Sequence, residues 1–271
     1  MPASSERTTG YGRLRNHPRS KGVLPWSRWK PYEDEKPFQT NGVTEPIHRL
    51  FTPGFKRPHS RPRASSSKLG TRVHKQIEDI IRGREIKGRI HKFTRAFFNE
   101  LQKLGLRAVD AEPPIISLAG NFMTQPDVIC LNSRNEMVVV SIKTGFNYAY
   151  NNASPRGSKC AAPFTDAAKS ERSQHQLQLA AEVATLRHEY KFNVTGAYVI
   201  YLGFDDNPKR GDTTITLFEP RCNVKTDYLS PGFCAPASLR AMFIKMKQWS
   251  LRKGRADLYA VWMSRHGVKK C

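Results

Sequence analysis

Apolar residues recur every three or four positions across residues 70–104, GTRVHKQIEDIIRGREIKGRIHKFTRAFFNELQKL. This spacing places apolar side chains along one side of an α-helix. Gly83 and Gly88 interrupt the series, so the pattern predicts two amphipathic helices joined between these glycines. The apolar positions are Val73, Ile77, Ile80, Ile81, Ile90, Phe93, Phe97, Phe98, Leu101 and Leu104.

Short apolar runs predict β-strands in the middle of the chain. Residues 107–118 form one such run, which a proline pair interrupts. Residues 125–145, QPDVICLNSRNEMVVVSIKTG, hold two apolar runs around the polar break SRNE and therefore predict a β-hairpin. Further strands are predicted at 194–204 and 213–220.

Helical patterns return after the hairpin. A loop rich in Gly, Asn and Ser (145–165) precedes a helix predicted over 165–190, and a last helix is predicted over 237–253. The order helix, strand, hairpin, helix, strand predicts an α/β (α+β) domain with a central mixed β-sheet flanked by helices. No run of about 18 apolar residues occurs, so no membrane span is expected.

Residues 1–68 differ in composition from the rest of the chain. They hold nine of the eighteen prolines and 14 Lys or Arg residues against 5 Asp or Glu. This composition buries too little apolar surface to offset chain entropy, so it predicts a disordered basic tail, although its aromatic residues indicate that part of it packs on the domain or on a partner. The predicted core spans 69–205, and 206–271 is an extension of the same domain with a strand and a helix.

The end of the tail, FKRPHSRPRASSSK (55–68), is a basic linker that suits contacts to phosphates. The alternative is a solvated tail without a specific role. The candidate nucleic-acid-binding residues are Arg57, Arg61, Arg63 and Lys68, with Arg72 just beyond.

The whole chain carries a formal net charge of +22. Such a charge favours a polyanionic partner, nucleic acid first and an anionic membrane surface second. The five cysteines lack metal-ligand spacing, which indicates free thiols in a reducing intracellular compartment. The Arg-rich start lacks the apolar stretch of a secretory signal, and its prolines and glycines argue against a mitochondrial transit helix. The nucleus or a viral replication site is therefore favoured.

The hairpin brings a carboxylate and an ammonium group to one place. If Ser133–Asn135 is a three-residue loop, Asp127 faces Ser141, and Lys143 shares the face of Ser141. This pair suits phosphodiester hydrolysis, because the carboxylate can hold a hard cation such as Mg²⁺ and the lysine can orient the attacking water. The alternative is an ion pair on a solvated sheet edge.

Pro126-Asp127 followed by Ser141-Ile142-Lys143 resembles the motif of the PD-(D/E)XK nuclease superfamily. The resemblance implies a restriction-endonuclease-like core. It also implies an Mg²⁺- or Mn²⁺-dependent nuclease that acts on DNA more readily than on RNA.

Other residues narrow the resemblance to the branch of RecB-type and lambda-exonuclease-like (YqaJ) nucleases. Gly70-Thr71-Arg72-Val73-His74 resembles the branch motif G-x-x-x-H, and Glu112 lies where the branch carries an extra acid. Gln176-Leu177-Gln178 resembles its glutamine-centred helix motif, and Thr144-Gly145 is common after the lysine. Taken alone, each is also compatible with a surface histidine, a strand end or an exposed helical glutamine. The resemblance covers 69–205, about half of the chain.

The resemblance implies a role for each matching residue and a role for the protein in recombination, replication or processing of a viral or mobile-element genome. Some members of the lambda-exonuclease group are homo-oligomers, but no interface is identifiable in this sequence. In the implied site, Asp127 and Glu112 bind the metal with the carbonyl of Ile142, Lys143 handles the water, Gln176 holds the lysine or a phosphate, and His74 adds a ligand or a phosphate contact.

Ser141 departs from the family pattern, which has an acid at this position. Three explanations stay open. The acid has moved to the following helix, with Glu171 as the first candidate metal ligand and Glu182 as the other; or Glu112 and Asp127 suffice to hold one ion. In the third, the site is inactive, and the protein is a nucleic-acid-binding module or a structural subunit.

Two functions outside the nucleases also suit a compact domain with a basic tail rich in Arg and Pro. One is a capsid protein or nucleoprotein that packages a genome, and the other is a ribosome-associated protein. Either would make the acids and the lysine of the hairpin irrelevant to function.

Overall fold

The structure is a computed structural model that describes residues 41–55, 63–86, 88–144, 158–204 and 222–265. Within these ranges the chain forms helices α1 Thr44–Leu50, α2 Arg63–Ile81 and α3 Lys92–Lys103, strands β1 Arg107–Ala111, β2 Ile115–Ser117, β3 Phe122–Thr124, β4 Val128–Leu131 and β5 Met137–Thr144, helix α4 Glu171–His188, strands β6 Val194–Phe204 and β7 Cys222–Tyr228, and helices α5 Pro236–Arg252 and α6 Leu258–Arg265.

Five strands form the central sheet in the order β1-β4-β5-β6-β7. Strands β5 and β6 are parallel, and the other neighbours are antiparallel. Strands β2 and β3 form a separate hairpin. The predicted α/β class with a mixed central sheet flanked by helices is therefore confirmed.

Helices cover both faces of the sheet, and the alternation of side chains along β5 separates the two layers. Val138, Val140 and Ile142 pack with residues of α2 and α3. Met137 and Val139 pack instead with residues of α1, α4 and α5. By the same alternation, the side chains at 141 and 143 lie on the face that α4 covers.

Most predicted elements occur close to the expected positions. The two helices on either side of the glycines, the hairpin, the strand over 194–204 and the helix near 237–253 are confirmed. Helix α4 begins at Glu171, later than predicted, because Ser170 caps it by accepting a hydrogen bond from the Ser173 N–H. The last helix was predicted over 237–253, but the structure has a further helix, α6, after it.

The prediction of a disordered tail over 1–68 is wrong for residues 41–55 and 63–68. Helix α2 already begins at Arg63, and α1 places Ile47 and Phe51 in the core at 1% and 0% exposure. Val43, Ile47 and Phe51 are four residues apart, so one side of α1 is apolar in spite of the surrounding prolines. Residues 1–40 and 56–62 lie outside the described residues.

The C-terminal extension belongs to the same domain, because β7 pairs with β6 and α5 packs on the shared core. The strand predicted over 213–220 lies outside the described residues, as does 145–157 of the predicted loop. Within the described ranges, Cys130, Cys160 and Cys234 are free thiols. No helix in this part of the chain combines the length and the apolar composition that crossing a membrane requires.

Candidate active site

The predicted register of the hairpin is confirmed. Val128 pairs with Val140 and Leu131 pairs with Met137. At the turn, Asn135 has a φ of +57°, a left-handed conformation that asparagine tolerates better than most residues. The register continues beyond the ladder and sets Asp127 opposite the residue at position 141.

The carboxylate of Asp127 is held by the neighbouring strand β5. Its Oδ2 accepts a hydrogen bond from the Ser141 hydroxyl at 2.9 Å and another from the Ile142 N–H at 2.6 Å. The Lys143 ammonium lies 4.0 Å from the same oxygen. These contacts fix the orientation of the carboxylate, and none of them involves its other oxygen, Oδ1.

Helix α2 brings His74 to this oxygen. The Nδ1 atom of His74 lies 3.5 Å from Oδ1 of Asp127 and 3.9 Å from Oε1 of Glu112. One turn earlier, a Cβ atom on Gly70 would lie 2.8 Å from the Thr144 hydroxyl oxygen. The glycine therefore permits the close approach of α2 to the end of β5 that places the histidine beside the hairpin.

Glu112 follows β1 in a strained conformation. Its φ of +49° lies in the left-handed region, which costs a non-glycine residue about 1–2 kcal/mol. The Glu112 N–H donates to the Asp127 carbonyl at 3.1 Å, and Arg82 donates to the Ala111 carbonyl at 2.7 Å. Burial raises the pKa of the Glu112 carboxyl, and the charges of Glu78 and Asp127 raise it further. Two carboxylates thus meet His74 at the end of the sheet.

Glu78 is a site residue that the sequence analysis missed. It lies one turn after His74 on α2 and forms ion pairs with Lys75, Arg82 and Arg84 at 3.1, 2.7 and 3.2 Å. An open cleft of about 390 Å³ is lined by Gly70, Thr71, His74, Lys75, Glu78 and Glu112. The spacing of four residues from Gly70 to His74 to Glu78 was a signal that could have identified it.

Helix α4 contributes Glu182 on the other side of the hairpin. The side chain is 1% exposed, and its Oε1 accepts hydrogen bonds from Thr124 and Gln178, both at 2.9 Å. No donor among the described residues contacts its Oε2. Burial raises the pKa of Glu182 to about 7, and the charge of Asp127 contributes to the increase, while Lys143 opposes it.

The structure separates the two candidate acids on α4 and corrects the contact expected of Gln176 with the lysine. Glu171 is the first residue of the helix, eleven positions before Glu182, which corresponds to about 16 Å along the axis. The charge of Asp127 acts on Glu182, the second candidate acid. Gln176 does not hold the lysine, because its amide donates to the Tyr228 carbonyl and accepts from the Ser230 N–H.

The candidate nucleic-acid-binding residues are only partly described. Lys68 and Arg72 are exposed on α2, one turn apart, on the helix that lines the cleft. Arg63 begins the same helix, and nothing is described of its side chain. Arg57 and Arg61 lie outside the described residues. Lys68 and Arg72 thus place positive charge on the helix that also carries His74 and Glu78.

The donor atoms at this site suit a hard cation. Asp127 and Glu112 supply carboxylate oxygens, and Mg²⁺ binds through one or two carboxylates while keeping several waters. Glu182 holds a buried carboxylate oxygen without a described donor, which is unusual for a polar atom in a protein interior. Within the described ranges, however, no three His, Cys, Asp or Glu side chains are grouped closely enough to hold a metal ion. The residues fit Mg²⁺ by chemistry, and the ligands are not drawn together in this conformation.

In comparisons with known proteins, no protein-family model matches this chain and no curated protein matches it. The resemblance to the PD-(D/E)XK nucleases therefore rests on the motif residues and their order along the chain.

Proposed function

We propose that the protein is a metal-dependent nuclease that hydrolyses phosphodiester bonds, with DNA as the favoured substrate. The observation that carries the proposal is the Asp127 carboxylate, oriented by Ser141 and Ile142 with the Lys143 ammonium 4.0 Å away. A carboxylate fixed in this way can hold the ion of a metal-assisted hydrolysis, and a lysine beside it can offset the negative charge that develops on the phosphate. The preference for DNA, and a role in recombination, replication or processing of a viral or mobile-element genome, follow from the family resemblance.

Each residue of the cluster has a separate task in this proposal. Asp127 and Glu112 would hold Mg²⁺ or Mn²⁺, which supplies positive charge to the phosphate in the transition state. Lys143 holds the attacking water, and its ammonium group offsets the negative charge that develops on the phosphate. His74, within 3.9 Å of both carboxylates, would contact the substrate phosphate.

The surface beside the cluster supports a polyanionic substrate. Lys68, Arg72 and Lys75 are exposed on α2, and their spacing of four and three residues places them along one side of the helix. Lys75 also lines the cleft that reaches His74 and Glu112. A nucleic-acid backbone that lies along this side of α2 would bring one phosphate into the cleft.

The test is cleavage of labelled double-stranded DNA, single-stranded DNA and RNA by the full chain with Mg²⁺ or Mn²⁺. We expect cleavage that EDTA abolishes. Asp127→Asn and Lys143→Met should each reduce the rate by about 100-fold or more, because each removes a charge that acts in the transition state. Arg252→Met changes an exposed position at the end of α5, which packs on the face of the sheet opposite α2, and this control should cleave as the wild type does. The absence of metal-dependent cleavage by the wild type contradicts the proposal.

A second candidate function is a nucleic-acid-binding protein that has lost its nuclease activity. Ser141 favours it, since this serine lies opposite Asp127 where the family pattern has an acid. Under this alternative the full chain binds nucleic acid in EDTA, without any divalent cation, and cleaves none of the three substrates in Mg²⁺ or Mn²⁺.

A further inference from the structure

We propose that the exposed face of α5 and α6 docks an acidic segment of this same chain, residues 32–38. The segment reads YEDEKPF and lies outside the described residues. The contact is separate from the proposed nuclease site, because α5 packs on the face of the sheet opposite α2.

Exposed apolar side chains are concentrated on α5 and α6. Among the described residues, Ile244, Leu251 and Tyr259 are three of the four large apolar side chains that are exposed, at 49%, 40% and 47%. Ile244 and Leu251 are seven residues apart on α5, so they share one side of the helix, away from the buried Met246. Apolar side chains grouped on a surface in this way indicate a contact with another element.

Basic side chains lie among these apolar ones. Arg240 is exposed one turn before Ile244, and Lys247 lies one turn after it. The Lys247 ammonium is 5.8 Å from the centroid of the Tyr259 ring and 3.7 Å from the Asp257 carboxylate. The face therefore suits an occupant that carries both apolar and acidic side chains.

The chain enters the described domain beside this face. The Asn41 side chain donates to the carbonyl of Ala256, which lies between α5 and α6, at 3.1 Å. Residues 41–43 then run parallel to β3, where the Met123 N–H donates to the Asn41 carbonyl at 2.9 Å. The residues that precede Asn41 therefore start at the junction of α5 and α6.

The segment is close enough in sequence to reach the whole face. Phe38 precedes Asn41 by three residues and Tyr32 precedes it by nine, and such lengths of extended chain span about 10 to 30 Å. The outer side of α5 over 240–251 is about 16 Å long. No part of this face is thus beyond the reach of the segment.

The composition of the segment complements the face. Three consecutive acids, Glu33, Asp34 and Glu35, lie between the aromatic residues Tyr32 and Phe38. The acids can pair with the basic side chains of α5, and the aromatic rings can cover its exposed apolar side chains.

Two other occupants fit this face less well. A second copy of the chain presents the same basic side chains, so two such faces repel each other. Nucleic acid would pair with the basic side chains but would leave Ile244 and Leu251 without an apolar partner. The segment satisfies both kinds of group, and its covalent link beside the face gives it a high effective concentration there.

The test is limited digestion of the full chain with a protease that cleaves after glutamate. Cleavage after Glu33 and Glu35 reports the undocked segment, and cleavage after Glu6 in the same digest is the reference. The double variant Ile244→Ser with Leu251→Ser should raise the ratio of the two rates about tenfold, because cleavage follows the population in which the segment is undocked. An unchanged ratio in this variant contradicts the inference.

A charge reversal tests the same contact without a change in the apolar side chains. Arg240→Glu should raise the ratio several-fold at low salt. Arg252→Glu, exposed on the same helix about 120° around its axis from Arg240, is the matched control and should leave the ratio unchanged. Tyr228→Ser, which changes the fourth exposed apolar side chain, is the control for the serine variant. Equal ratios for Arg240→Glu and the wild type would also contradict the inference.

Cross-linking identifies the occupant. A mixture of isotopically labelled and unlabelled full chains is treated with a carbodiimide, which joins amines to carboxylates in contact. We expect Lys245 or Lys247 to be joined to residues 33–35 of its own chain. The absence of this cross-link overturns the proposal, and links between labelled and unlabelled chains would assign the face to a second copy instead. The nuclease site at the hairpin is unaffected by either result.

Discussion

The Ser141 hydroxyl donates a hydrogen bond to Asp127 at the position where a second acid would repel it. Together with the Ile142 N–H it orients one oxygen of the carboxylate and leaves the other for His74 or a cation. Compared with an acid at this position, the serine lowers the negative charge of the site by one and orients the Asp127 carboxylate through its hydrogen bond. At the scale of single residues, the site therefore depends on Asp127 and its two donors.

Ser141→Ala removes one of these donors from a buried position. We expect the free energy of unfolding to fall by about 2 kcal/mol, since a hydrogen bond to a charged group in a protein interior is lost without replacement. Urea denaturation of the metal-free protein measures the change. An unchanged free energy would show that the hydroxyl does not support Asp127.

Glu182 makes the stability of the metal-free protein depend on pH. Its pKa is about 7 in the folded protein against an ordinary value of 4.5, so the folded state holds a proton that the unfolded state has lost between these values. Glu182 therefore contributes on the order of 3 kcal/mol to the free energy of unfolding below pH 4.5, and this contribution is lost as the pH rises through 7.

Denaturation in EDTA across this pH range, with the wild type and Glu182→Gln side by side, measures the effect. The variant should gain stability relative to the wild type as the pH rises. A constant difference between the two proteins would contradict the raised pKa.

The sequence predicted those contacts of the site that follow from the register of the hairpin strands. It did not predict contacts that depend on which turn of a helix lies beside the hairpin. The alternation along the hairpin predicted that Asp127 faces Ser141. The helical period placed Glu171 and Glu182 on one side of α4, but it gave no information about which turn lies beside the hairpin. For the same reason, the helical spacing could not predict that Gln176 contacts the backbone of Tyr228 and Ser230 at the end of β7.

At the scale of elements, the contact between α2 and the end of β5 positions the site. Gly70 lies inside α2, where glycine weakens a helix by about 1 kcal/mol relative to alanine. The structure accounts for its presence, because a Cβ atom there would lie 2.8 Å from the Thr144 hydroxyl oxygen. This close approach sets the distance between His74 and Asp127.

Gly70→Ala therefore has an effect that depends on Thr144. In the wild-type background, steric conflict with the hydroxyl offsets the gain in helix propensity. In a Thr144→Ala background the conflict is absent, so the same change should be more favourable by at least about 0.5 kcal/mol. A double-mutant cycle by urea denaturation measures this coupling, and purely additive changes would contradict the close approach.

The order and type of the elements were largely predictable, since long periodic segments determine them. The hairpin and β6 have continuous apolar runs, and α3 has a strong helical period. Helix α1 was not predicted because it is short and lies among prolines, although Ile47 and Phe51 carry the spacing that buries it. The later start of α4 depends on the Ser170 cap, a local hydrogen bond that apolar spacing does not predict.

At the scale of the whole molecule, the net charge of +22 and the exposed basic side of α2 both favour contacts with phosphate groups. Non-specific phosphate contacts release counterions, so each contact contributes to the salt dependence of binding. Helix α5 packs on the face of the sheet opposite α2 and also exposes basic residues. Substitutions on α5 therefore serve as controls for substitutions on α2.

Lys68→Ala and Arg72→Ala should each reduce the slope of log affinity for DNA against log salt by about one. The expectation follows from their position on α2 beside the cleft. Arg252→Ala on α5 is the control and should leave the slope unchanged. Fluorescence anisotropy at several salt concentrations gives the slopes, and equal slopes for all four proteins would place the DNA elsewhere on the surface.

In the proposed nuclease, Asp127 holds a cation beside Lys143. Anomalous diffraction from a crystal of the full chain soaked in Mn²⁺ tests it most directly. We expect one strong peak within coordination distance of Asp127 Oδ1, with Glu112 turned toward it. A crystal that shows no peak at Asp127, with His74 still beside that carboxylate, would contradict the account.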